Sequence, residues 1–334
     1  MQMGNCLLER GYAVRIAYRR PPLFSRGQLV SLARYIKFRC QGMRETRWLS
    51  CFRGRNEAFV TLDELEFADR EIVIATGIHT IEDLNRLEGI VLKIRYCHGL
   101  LEQEPEEVRK MRLWDGPMDT IAVSPALVPT LEKHCTGRML GVVPNGISPK
   151  EYYVESGERD GIGMVFGNLK VKGPDVAVGL VRALYHRFPE VPRYVFGACR
   201  RWKQLSPCTY TRFPSISKAR EIYNRCKIWL ITSRDEGFSL PMLEAMACGC
   251  AVISSNHTNA SDIIQHGVNG LTVRYGDIDG YMQHIERLLE DESLRSKIVR
   301  EGFKTVQRFT WEKAADLMEE ALQKACAPPI QQLA

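Results

Sequence analysis

At 334 residues the chain is longer than one ordinary domain, so two domains with separate cores are expected. Its composition, 45% hydrophobic and 26% charged, is globular, and no apolar run approaches the roughly 18 residues of a membrane-spanning helix. The net charge of +6 is modest but unevenly spread.

The first residues, MQMGNCLLERGYAV, contain no apolar signal core and no small-residue cleavage site, so the cytoplasm is the expected compartment. Residues 3–10 read as the back of a helix feeding a strand at 12–18. Between Arg15 and Arg55 stand eleven Arg or Lys residues and one acid, Glu45, interleaved with Tyr18, Phe24, Tyr35, Phe38, Trp48 and Phe52. That stretch fits a surface meeting anionic lipid, a lipid-phosphate acceptor or nucleic acid; the plain alternative is a solvated basic helix face. Strands are expected at 71–76, 90–95, 119–123 and 140–143, with helices at 80–87 and 125–135.

Val143-Pro144-Asn145-Gly146-Ile147 marks the break between domains, and the polar run 148–161 reads as linker. A second series follows, with strands at 162–166, 193–197, 228–232, 250–254 and 271–273 and helices at 175–187, 216–226 and 240–247. Amphipathic helices at 277–290, 292–306 and 310–324 close the chain. Alternating strands and helices predict doubly wound parallel sheets, which bind ligands at the C-terminal ends of their strands. The expected division is 1–147, 148–307, and a tail of 308–334 crossing back to the first domain.

The chemistry concentrates in SRDEGFSLPMLEAMACGCAV, residues 233–252. Glu236 falls in a turn, and Ser239 is placed to cap a helix with Pro241 in its first turn. The amides of Gly237, Phe238, Ser239 and Leu240 then form an anion site at the end of a strand. Glu244, one turn in, is surrounded by apolar residues, and a carboxylate so placed needs a partner. Two vicinal hydroxyls of a ribose would satisfy it; a buried Lys or Arg is the alternative. A second strand-to-helix loop, Gly167-Asn168-Leu169-Lys170-Val171-Lys172-Gly173, places Lys172 to reach a diphosphate. Cys248 and Cys250 form the one close pair among eleven cysteines, but no further Cys or His completes a metal site, so free core thiols are expected.

The stretch EGFSLPMLE with AMACGCAVISS and NASDIIQHGVNGLTV, preceded by VVPNGI and GNLKVKGPD, resembles the C-terminal domain of retaining glycosyltransferases of the GT-B fold, family 4, also called glycosyl transferases group 1. The resemblance implies two Rossmann-like domains facing a cleft. It implies that Glu244 holds the donor ribose and that Glu236 lies by the donor sugar as its bond breaks. The amides of 237–240, with Gly167, Asn168 and Lys172, would hold the diphosphate. His98, after an N-domain strand, would face the acceptor; a structural role is the plainer reading for a lone His. No metal and no cofactor beyond the nucleotide-sugar donor are implied.

Three departures qualify the likeness. Asn168 stands where the family commonly has Arg, so Lys170, Arg200 or Arg201 would have to substitute. Ser239 replaces a usual glycine. The family's first strand and glycine-rich loop have no counterpart ahead of residues 3–10, and a misassigned start is the expectation rather than a lost interior strand. The function implied is transfer of a sugar from a nucleotide diphosphate to a glycan or lipid-linked acceptor in polysaccharide or glycoconjugate synthesis, with possible partners including the inner membrane face but not nucleic acid. The alternative is a non-catalytic nucleotide-sugar binder or the partner subunit of an active transferase. A glycoside hydrolase fits poorly, because a Glu inside an apolar helix does not flank an open sugar site.

Overall fold

The computed structural model describes residues 1–19, 51–59, 62–89, 91–99 and 114–328. Most of the basic stretch Arg15–Arg55, and the lipid or nucleic-acid contact expected of it, lies outside the described residues.

The first half opens with α1 (Gln2–Glu9), β1 (Arg15–Arg19) and β2 (Arg55–Phe59). It continues through β3 (Ile72–Ala75), α2 (Ile78–Arg86), β4 (Leu92–Cys97), β5 (Asp119–Ala122), α3 (Val128–His134) and β6 (Met139–Val142). β1 and β2 pair parallel as a two-stranded sheet, while β3-β4-β5-β6 form a parallel sheet in sequence order. Its apolar interior is built from Ile94, Ile121, Val123, Leu127 and Leu131. The fully buried Arg95 donates to the carbonyls of Trp114, Gly116 and Met118, tying the segment before β5 to β4.

The second half runs β7 (Gly161–Val165), α4 (Pro174–Arg187), β8 (Arg193–Gly197), β9 (Thr209–Arg212), α5 (Ile216–Arg225), β10 (Cys226–Ile231), α6 (Leu240–Ala247) and β11 (Ala251–Ser255). It ends with α7 (Ala260–Ile263), β12 (Leu271–Val273), α8 (Ile278–Glu290), α9 (Glu292–Val306) and α10 (Trp311–Cys326). Its six strands lie in the order β12-β11-β10-β7-β8-β9, all parallel. Chain order reverses between β7 and β10, which is the switch point where doubly wound sheets open a crevice for ligands.

The sheet is apolar on both faces because side chains alternate along each strand. In β10, Ile228 and Leu230 pack with α4 and α8, while Trp229 and Ile231 pack with α5 and α6. α6 buries Met242, Leu243 and Met246, each worth about 1.5–3 kcal/mol out of water. α10 leaves this half and lies on the first sheet, with Ala314, Met318, Ala321, Leu322 and Ala325 in that core. The sequence reading passed over β2 and β9, two short polar edge strands without an alternating pattern.

Candidate active site

At the switch point the loop after β7 meets the loop after β10. Gly173 has φ +60°, ends the first loop, and would collide through any Cβ with the carbonyl of Thr232, so the two loops pack backbone to backbone. The amides of Arg234 (2.8 Å) and Asp235 (3.3 Å) donate to the Val171 carbonyl, and the Thr232 hydroxyl donates to that of Lys172 at 3.1 Å. Lys172 Nζ thereby comes 2.7 Å from Glu236 Oε2. Ser233 Oγ donates to Glu236 Oε1 at 2.6 Å, so the buried carboxylate is held at both oxygens. Lys172, expected to face a diphosphate, is here the counter-ion of Glu236. Attraction at contact distance with one partner buried explains the pairing.

Glu244 departs from the sequence reading in its partners. Its Oε2 accepts from Tyr223 Oη at 2.7 Å, and the Tyr152 hydroxyl also bonds the carboxylate. Neither a buried Lys nor a buried Arg is involved; neutral hydroxyls satisfy the charge in part. Burial pushes the Glu244 pKa above the ordinary carboxylate value, and the two tyrosine hydrogen bonds pull it back. A carboxylate offers about four lone-pair sites, so two hydroxyls leave room for others. The sequence gave no sign of Tyr152. Tyr223 was foreshadowed only by its place on the apolar stripe of α5, where a buried phenol needs a partner.

The expected anion cradle is narrower than four amides. Ser239 N donates to Asn259 Oδ1 at 3.1 Å, and the Ser239 hydroxyl forms no capping bond and has no partner despite full burial. The expected cap fails because Asn259, from the loop after β11, takes over the role of acceptor. The amides of Gly237, Phe238 and Leu240 donate to no protein acceptor among the described residues. Gly167 is half-buried against the Lys172 stem, whereas Asn168 is exposed and without a protein partner. Lys170, Arg200 and Arg201 are also exposed and form no ion pair with described carboxylates. They remain able to meet an anion.

The first domain reaches the same place. A Cβ at Gly237 would collide with the His98 carbonyl, so only glycine permits this approach of the two halves. His98 follows β4, with its ring 4.1 Å from that of Tyr96, whose hydroxyl donates to the Val143 carbonyl at 2.6 Å. The exposed surface of His98 faces the cleft, where surrounding protein pushes its pKa down to about 4, so the imidazole is neutral at pH 7. Phe238 packs against the cores of both halves, its ring 5.7 Å from that of Phe309. His257, which the sequence reading passed over, is buried beside Lys172 and Asp235 with neither ring nitrogen hydrogen-bonded.

Comparison with known proteins agrees with this architecture. The family described as "Glycosyl transferases group 1" matches residues 170–305. The O-antigen chain mannosyltransferase B of Escherichia coli is 35% identical over 91 residues, 27% of this chain and 23% of that protein. The capsular polysaccharide biosynthesis glycosyltransferase CapM of Staphylococcus aureus is 26% identical over 178 residues, 49% of this chain and 47% of that one. The matched part thus spans half or less of the length of these relatives. Sucrose-phosphate synthase from Thermosynechococcus elongatus superposes with a TM-score of 0.72 at 17% identity, covering 97% of this chain and 91% of that one. HepE of Anabaena, solved with UDP and glucose, has the same TM-score of 0.72 and identity of 17%, covering 93% and 99%. At such identities the likeness is one of fold. The segment that carries the Lys172, Glu236 and Glu244 site is therefore a member of the glycosyl transferases group 1 family, set within a GT-B fold.

Proposed function

We propose that the chain is a retaining glycosyltransferase moving a sugar from a nucleotide diphosphate to a glycan or lipid-linked acceptor, in polysaccharide or glycoconjugate synthesis. The observation that carries this reading is the Lys172–Glu236 pair at the switch point, flanked by unbonded helix amides and by a second, largely buried carboxylate. The donor diphosphate would sit on the amides of Gly237, Phe238 and Leu240 and draw Lys172 away from Glu236. Glu236, still held by Ser233, would then face the sugar hydroxyls and the charge that develops as the bond to phosphate breaks. The remaining lone pairs of Glu244 would accept the ribose hydroxyls. The acceptor oxygen bonds the anomeric carbon on the face the diphosphate leaves, and its proton passes to the departing phosphate oxygen. Lys172 and the N-terminus of α6 supply positive charge, so we assign no divalent cation to the reaction. His98, neutral and facing the cleft, would contact the acceptor.

The expected outcome of Glu236→Ala or Glu244→Ala is a loss of about 10²-fold or more in transfer, the range for one transition-state contact. Product analysis with a panel of UDP- and GDP-sugars measures it and reports the anomeric configuration. Full activity of Glu244→Ala would refute the ribose assignment. Tight donor binding by calorimetry without turnover would instead place the chain as a nucleotide-sugar binder.

A further inference from the structure

The first half carries two parallel sheets where the second carries one. Among the described residues β1 pairs with β2 alone, and β3 is the free edge of its sheet. Between those edges lies a cavity of about 140 Å³, or about 690 Å³ with its open mouth, lined by Ala17 of β1, Phe59 of β2 and Ile72, Val73 and Ile74 of β3. At one end Arg15 reaches across and donates from Nε (3.0 Å) and Nη2 (3.1 Å) to the Glu71 carboxylate. Arg15 opens β1 and Glu71 immediately precedes β3, so the two strands start at the same end and run the same way. A side-chain pair, rather than a backbone ladder, joins them there. One missing strand would leave two interstrand spacings, roughly 9–10 Å, which is a distance an extended Arg–Glu pair can bridge.

We propose that this gap is a strand-acceptor slot, taking an extended apolar segment of about five residues, parallel to β1 and β3 and continuous with the N-terminal side of α1. The lining is apolar and both edges present unmatched backbone groups, so what fills the slot must bond on both sides and bury alternate apolar side chains. The source follows from α1. Gln2 Nε2 donates to Glu151 Oε1 at 3.2 Å, which puts the start of α1 near the domain junction, beyond the C-terminal ends of the strands. The helix then runs back and feeds β1. Parallel neighbours require such a crossover, and the slot is where the strand before α1 belongs. Filled, it joins β1 through β6 into one sheet and brings the strand's end to the cleft, beside Thr76 and His98. The inference rests on the sheet and not on the transferase reading.

The test extends the full chain ahead of Met1 with five β-branched residues and a short glycine-serine turn. Hydrogen exchange of β1 and β3 and the Tm are the readouts, and a proline at the centre of the added strand is the control. Expected is at least about tenfold slower exchange at both edges and a Tm higher by about 3 °C or more, neither appearing with the proline control. A second variant, Ala17→Trp, fills the cavity and should abolish the difference between extension and control. Protection at neither edge or only one, an equal effect of the control, protection by the free peptide but not the tethered one, or protection accompanied by dimer formation would each overturn the proposal.

Discussion

Glu244 is costly as a residue. Its carboxylate is largely enclosed, and burial raises its pKa, so the folded protein holds a proton there more tightly than the unfolded chain does. The sign follows: its ionised form opposes folding, and the penalty grows as pH rises above the ordinary carboxylate range. Glu244→Gln removes the charge and keeps an acceptor for Tyr223 and Tyr152. Stability at pH 7 should therefore rise by about 1 kcal/mol, the lower end of what relieving a buried charge returns. Donor binding should weaken in the same variant; denaturant titration and calorimetry on one preparation check both. His257 acts in the opposite direction. At 5% exposure, burial first and Lys172 second depress its pKa to about 4, against 6.5 for an ordinary histidine. Below pH 6.5 the unfolded chain takes a proton that the folded one refuses, so stability is full above that value and falls as pH drops toward 4. Between pH 6.5 and 5 the loss should be about 2 kcal/mol. His257→Gln should flatten this part of the Tm-against-pH curve, and an unchanged slope would assign it to other groups.

Among elements, the turn between β10 and α6 carries most of the site and also joins the two halves of the molecule. Gly237 lies against the His98 backbone, and Phe238 is shared between two cores. Gly237→Ala must push backbone against backbone and part the cleft. A misplacement near 1 Å can cost 10²-fold, so kcat/KM should fall by about that factor while far-UV circular dichroism stays unchanged. Steady-state kinetics measures the loss, and activity within a few-fold of the parent would show that the cleft tolerates the shift. The turn, its proline and the apolar helix after it were readable in the sequence because each is a local signal. The Asn259 bond to the Ser239 amide was not. It joins residues 20 positions apart across the ends of adjacent strands, and no local pattern encodes it.

For the whole molecule, α10 couples the ends of the chain. It packs on the first sheet, Arg10 pairs with Asp316 at 2.7 Å, and Arg138 donates to the carbonyls of Lys324, Ala325 and Ala327 at 3.0 Å each. A cation on the last carbonyls of a helix is favoured by its dipole. Met318 is buried in that contact, and Met318→Ala should cost about 3 kcal/mol. The loss should appear as faster hydrogen exchange in β4 and β5, with β7 and β10 little changed; uniform loss would mean the halves unfold as one unit.

The sequence by itself determined the alternation of strands and helices, the domain junction near Pro144, and the loops that carry Lys172, Glu236 and Glu244. These rest on hydrophobic period, helix caps and turn residues, all properties of neighbours along the chain. Only the tertiary structure decided the partners. Glu236 pairs with Lys172 and Glu244 with two tyrosines because the switch point of the sheet brings separate loops and helices together. The open edges of β1 and β3 likewise belong to the sheet, since an unmatched strand edge is defined by what stands beside it.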